Sequence, residues 1–179
     1  MATPRQSNRC CRAIAAAAFV SLLAASHTAR AEEPASGRVR RVRSENPTIA
    51  ALIDRTAERS ATFRRELAAI EATNGLVYIE QGRCGHSVKA CLVMTVTVVG
   101  PYRLLRVKVD IGRDASAVSA SLGHELQHVI EVLSDPTITD NNRIFSFFQR
   151  VGPTESAVTF ETAAAVKAGL TVLAEIKRQ

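Results

Sequence analysis

One stretch of the chain limits the fold more than any other. Between Asp114 and Leu133 apolar residues recur at helical spacing. At 100° per residue, Leu122, Leu126, Val129 and Leu133 fall within roughly 60° of one another. Asp114 is a suitable N-cap, and Pro136 cannot continue the helix. His124 and His128 lie together on nearly the opposite face, with Glu125 between that face and the apolar stripe. Packing alone would not put two imidazoles there.

The segments around this helix set the fold class. Asn46-Pro47 reads as an N-cap followed by proline at the first helical position, and Ile49, Leu52 and Ile53 share one face of the helix that follows. Ser60 caps a second helix with the stripe Phe63, Leu67 and Ile70, ended by Asn74-Gly75 through a left-handed glycine. Strands are expected over 76–80, 92–99 and 102–111. The third places Leu105, Val107, Val109 and Ile111 on one face and Arg106, Lys108 and Asp110 on the other. Gly100-Pro101 turns the last two into an antiparallel hairpin. After the long helix come one near 140–150, carrying Ile144, Phe145, Phe147 and Phe148, and a last one from about Ser156. Its expected buried stripe is Val166, Leu170, Leu173 and Ile176. Helices, a small sheet and further helices make an α+β layout.

Charge and cysteine use bear on compartment and partner. The 179 residues hold 23 Lys+Arg against 17 Asp+Glu, but Arg5, Arg9, Arg12 and Arg30 fall in the first 31 residues, where there is no acidic residue. That segment has the parts of a secretory signal: a basic start, an apolar run Ala13–Ala25, and the small-residue site Ala29-Arg30-Ala31. Cleavage after Ala31 leaves a nearly balanced chain, which withdraws the inference of a nucleic-acid partner. It also leaves no stable membrane span, because the run is short of the about 20 residues a bilayer needs. Cys10 and Cys11 leave with the signal, so Cys84 and Cys91 form an even pair, read as one disulfide in a periplasmic or extracellular protein. Residues 32–45, with Arg38, Arg40, Arg41 and Arg43, read as a flexible leader, and 46–179 as a single domain.

His124-Glu125-Leu126-Gln127-His128 is the segment that points to chemistry. Two imidazoles one helical turn apart can hold one zinc ion, and the intervening carboxylate can take a proton from the water that the ion acidifies. Such chemistry hydrolyses peptide bonds.

The pentad, with uncharged Leu126 and Gln127 inside it and apolar Val129 and Ile130 after it, resembles the zincin metallopeptidases. The metzincin continuation Gly-x-x-His is missing after His128. The chain runs Val129-Ile130-Glu131 and so looks more like a gluzincin, whose third ligand is a Glu from a later helix. Gly123 to Pro136 together with Phe160-Glu161-Thr162 is also similar to small exported bacterial proteins of unassigned function. The resemblance implies a minimal zincin-like fold: two N-terminal helices, a small, mostly antiparallel three-stranded sheet, the His-Glu-x-x-His helix and two C-terminal helices. It further implies a zinc-dependent peptidase acting on a peptide or protein, with Glu125 as general base and then proton carrier to the leaving amine.

Three acids are candidates for the third ligand: Glu161, Glu155 and Glu131. A tetrahedral site wants a ligand approaching from another direction than the two histidines, which favours Glu161, whose small neighbours Ala163, Ala164 and Ala165 would let the last helix approach closely. Glu131 can instead orient a ligand. Gluzincins usually offer a His, Tyr or Arg to the developing oxyanion, and His86, Tyr78, Tyr102, Arg143 and Arg150 are candidates, none in a motif. The strand near 102–111 is a candidate edge for pairing with extended substrate. Two other readings are a zincin-like module that binds metal without turnover and a non-catalytic interaction domain.

Overall fold

Helix boundaries follow the capping residues closely. Asn46 Oδ1 accepts from the N–H groups of Thr48 and Ile49 to start α1 (Pro47–Arg59). Ser60 Oγ accepts from Phe63 N–H to start α2 (Ala61–Glu71). Asp114 Oδ1 accepts from Ser116 and Ala117 to start α3 (Ala115–Ser134). Each cap satisfies donors that the first helical turn leaves unpaired, worth about 1 kcal/mol apiece. Two more helices follow, α4 (Asn141–Val151) and α5 (Ala163–Lys177).

The computed structural model describes residues 40–85, 88–112, 114–151 and 160–178. The expected export signal, all but the end of the Arg-rich segment read as a leader, His86 and Glu155 lie outside them. Residues Arg38–Gln179 form one compact unit. Among the described residues no helix is long and apolar enough to cross a membrane.

Among the described residues the class is α+β, with five helices and a small mixed sheet. The sheet departs from the mostly antiparallel three-stranded expectation. Its five strands are β1 (Val42–Arg43), β2 (Gly75–Gln81), β3 (Ala90–Leu92), β4 (Thr97–Val99) and β5 (Tyr102–Val109). β1 and β5 flank β2 in parallel, while β3 and β4 run antiparallel to β5. The expected strand 92–99 is two short strands, both pairing with β5 across the break at 93–96. The β4–β5 hairpin turns at Gly100, whose φ of 58° is one that residues with a Cβ rarely adopt. Because β5 takes partners on both sides it is interior to the sheet, so it is not the edge strand expected; β3 ends the strand path.

The flexible-leader reading fails at its end. Val42 is buried, and Arg41 and Arg43 stack their guanidinium groups on Tyr102 and Tyr78. Gly75 is another correction. It is the first residue of β2 rather than a left-handed cap, and a Cβ there would lie 2.3 Å from Leu133 Cδ1.

Val77, Ile79, Leu105, Val107 and Val109 make the inner face of the sheet, and Leu122, Leu126 and Val129 of α3 complete the core with them. Arg103 points to the same inner side, where its guanidinium donates to the carbonyls of Val132, Leu133, Asp135 and Ile138 and its Nε to Asn74. One buried side chain thereby satisfies orphan carbonyls at the end of α3 and ties that helix to β5.

The stripe expected of α5 is displaced. Ala165, Ala168, Gly169, Val172 and Ile176 are buried, whereas Val166 and Leu170 are 43% and 64% exposed. Small size decides which side packs. A Cβ on Gly169 would meet Ala120 O at 3.0 Å and His124 Cβ at 3.1 Å, and one on Gly123 would meet Val172 Cγ2 at 2.8 Å. Two glycines therefore let α3 and α5 lie in close contact, which bulkier Val166 and Leu170 could not.

Candidate metal centre

That close contact brings the chemistry-bearing residues together. His124 and His128 occupy successive turns of α3, and Glu161 stands two residues before α5, in the segment ending at its N-cap Thr162. His124 Nε2 is 3.1 Å from His128 Nε2 and 3.1 Å from Glu161 Oε2. One ligand atom from each of the three lies within 4.8 Å of the others, so the group could hold a metal ion. The histidine face is covered rather than outward. His128 is 4% exposed, with the Phe148 ring edge-on to it at 5.1 Å.

The donor set fits a cation. A proton on His124 Nε2 can serve one of its two neighbours well, whereas a cation at the centre would serve all three atoms. Ligand atoms about 2.0–2.2 Å from a tetrahedral zinc are about 3.3 Å from one another, close to the two contacts observed.

Glu131 stands on the other ring nitrogen. Its Oε2 is 3.0 Å from His128 Nδ1, and its Oε1 accepts from Thr162 Oγ1 at 2.7 Å. A hydrogen on Nδ1 directed at this carboxylate leaves the Nε2 lone pair free for the centre of the group. Burial pushes the Glu131 carboxyl up, but hydrogen bonds to His128 and Thr162 outweigh it and hold the group below its ordinary range. Thr162 also accepts from Ala165 N–H, so one hydroxyl caps α5 and ties Glu161's segment to α3. Glu131 thus lies beside a histidine rather than among the three gathered groups.

Glu125 comes next along α3 and is also buried. Its Oε2 accepts from Leu92 N–H of β3 at 2.7 Å. Burial pushes its carboxyl up to about 7, with His128 and the Leu92 N–H pulling the other way. Burial likewise lowers His124, opposed by Glu161, which favours the neutral imidazole that a cation needs. Two cavities of about 220 and 260 Å³ share His124, Glu125, Glu161, Val88 and Ala90. Cys84 and Cys91 line the first, joined in the expected disulfide with a Cα–Cα distance of 5.8 Å.

No protein-family model, curated protein or solved structure matches this chain.

Of the residues weighed for oxyanion contact, Tyr78, Tyr102, Arg143 and Arg150 line neither cavity. Tyr78 and Tyr102 are stacked against arginines, and Arg143 pairs with Asp140. Two features of the site were missed in the sequence: the Leu92 N–H on Glu125, which has no side-chain signature, and Thr162. A Thr one residue after Glu161 and three before Ala165 N–H is a cap signal that would have placed the start of α5.

Proposed function

We propose that the chain is an exported, zinc-dependent peptidase of minimal zincin-like, gluzincin-type architecture, with His124, His128 and Glu161 holding the ion. The observation that carries this reading is the meeting of three donor atoms beside a buried carboxylate on the same helix. When bound, a divalent cation supplies Lewis acidity that brings the pKa of water toward neutrality. Glu125, whose carboxyl burial raises to about 7, would take a proton from such a water and hand it to the amine that leaves. Leu92 N–H holds the carboxylate in place through Oε2. Glu131 keeps the His128 ring turned so that Nε2 faces His124 Nε2, where it would hold an ion. Phe148, Phe160, Leu92 and Met94 keep the neighbouring wall apolar, which strengthens electrostatic interactions inside. The disulfide supports an oxidising compartment and hence export.

Glu125→Gln tests the assignment because the amide keeps size and burial while losing the base. Hydrolysis of an unfolded-protein or peptide library is expected to fall by about 10²–10⁴-fold with zinc still bound. Turnover that survives the change, with metal retained, contradicts the general-base role.

A further inference from the structure

The outer face of α5 holds an apolar stripe that takes no part in the core formed by the described residues. Ala163, Val166, Leu170 and Ala174 recur at helical spacing and are all exposed, Leu170 most of all among the exposed large hydrophobic residues. The stripe is continuous with the candidate centre. Val166 and Leu170 line both the 260 Å³ cavity that contains His124 and Glu125 and a broader groove of about 870 Å³ over α5, and Glu161 lines both as well. Apart from the site residues, no charged side chain among the described residues lines the nearer cavity; its remaining walls include Val88, Ala90, Ala120 and Leu173. Among the described residues, the cations that line the farther groove are Lys167 and Arg178.

We infer that this stripe docks the part of a substrate polypeptide that runs beyond the scissile bond, so that the preferred substrate is an extended, unfolded chain with bulky apolar side chains. This rests on the peptidase reading. One observation favours a substrate chain over other occupants: Val166 and Leu170 line the cavity that holds His124, Glu125 and Glu161, so a chain held at the candidate centre passes directly onto the stripe.

The test uses Val166→Asp and Leu170→Asp in the zinc-loaded protein. Both side chains are exposed, so the fold should survive, and circular dichroism melting checks that it does. Two fluorogenic peptides share one scissile core. The long one continues through Leu- and Phe-containing residues, and the short one stops at the core. Either substitution is expected to raise KM for the long peptide about tenfold more than it raises KM for the short one. Equal effects on both peptides, or none on the long one, overturn the docking proposal while leaving the peptidase reading intact. If neither peptide is hydrolysed, anisotropy of the labelled long peptide on zinc-loaded Glu125→Gln protein decides separately. Binding weakened about tenfold by Leu170→Asp supports docking although the peptidase reading has failed. Absent binding, or binding indifferent to the substitution, overturns docking. A dimer in sedimentation that Leu170→Asp dissociates, with no peptide bound, gives the stripe to a second copy and overturns it as well.

Discussion

The two sides of α3 are both buried, but by different means. Toward the sheet, Leu122, Leu126 and Val129 are fully buried among other apolar side chains. On its other side, which faces α4, α5 and the end of β3, the same helix buries His128 and Glu125 and leaves His124 half-buried, and beside Gly123 it faces Glu66 of α2. Contact on the sheet side is non-directional, so volume is what matters there. On the other side each polar group costs stability unless a named partner meets it. His128 has Glu131, Glu131 has Thr162, and Glu125 has Leu92 N–H. A helix that needed only to fill a core would not carry such a chain of dependencies, and this asymmetry is the strongest internal argument for a site.

The largest expected effect comes from removing volume on the sheet side. Leu126→Ala should cost about 2–5 kcal/mol in chemical denaturation. Leu126→Met, which keeps volume, should cost less than about 1.5 kcal/mol, and equal losses would show that shape and not volume governs this side.

Glu66 provides the next. Neither of its buried oxygens has a hydrogen-bond partner among the described residues. Burial raises its carboxyl to about 8, opposed by Arg65 and reinforced by Glu175. A carboxyl that holds its proton more tightly folded than unfolded favours the fold most at low pH. That contribution is present in full below the unfolded pKa near 4.5 and is lost as pH rises to about 8. At about 1.4 kcal/mol per pKa unit, the loss is on the order of a few kcal/mol. Urea titrations from pH 5 to 8 should show it, and Glu66→Gln should reduce the slope, leaving the part that comes from Glu125, which burial raises to about 7. An unchanged slope in the variant would assign the pH dependence to other groups.

Smaller still is the effect of Glu131→Gln. An amide oxygen can still accept from His128 Nδ1, but without the charge. Zinc affinity by competition with a chelator should drop by about 10–100-fold, with the unfolding midpoint of the metal-free protein little changed. A fall in metal-free stability with unchanged affinity would make Glu131 a structural tie alone.

Local signals carried well from sequence to structure, and non-local ones did not. Asn46, Ser60 and Asp114 cap their helices because a cap is decided within three residues. The Gly100 turn and the Cys84–Cys91 pair are equally short-range. Parallel pairing of β2 with β5 joins residues about 28 apart and leaves no mark in either strand. The side of α5 that packs is set by Gly169 against Ala120 and His124, a contact that outweighs the larger side chains Val166 and Leu170. The grouping of His124, His128 and Glu161 was readable because the proposed chemistry asks for those residue types, while Glu66 was hidden inside the expected stripe of α2. Leu92 could not have been found, since any residue has that N–H.

Metal content tests the central claim most directly. Protein purified without an affinity tag, loaded with zinc, freed of excess and weighed by native mass spectrometry should carry about one equivalent, and His128→Ala well below one. Zinc well below one equivalent in the unaltered chain, and no lower in His128→Ala, would contradict the account.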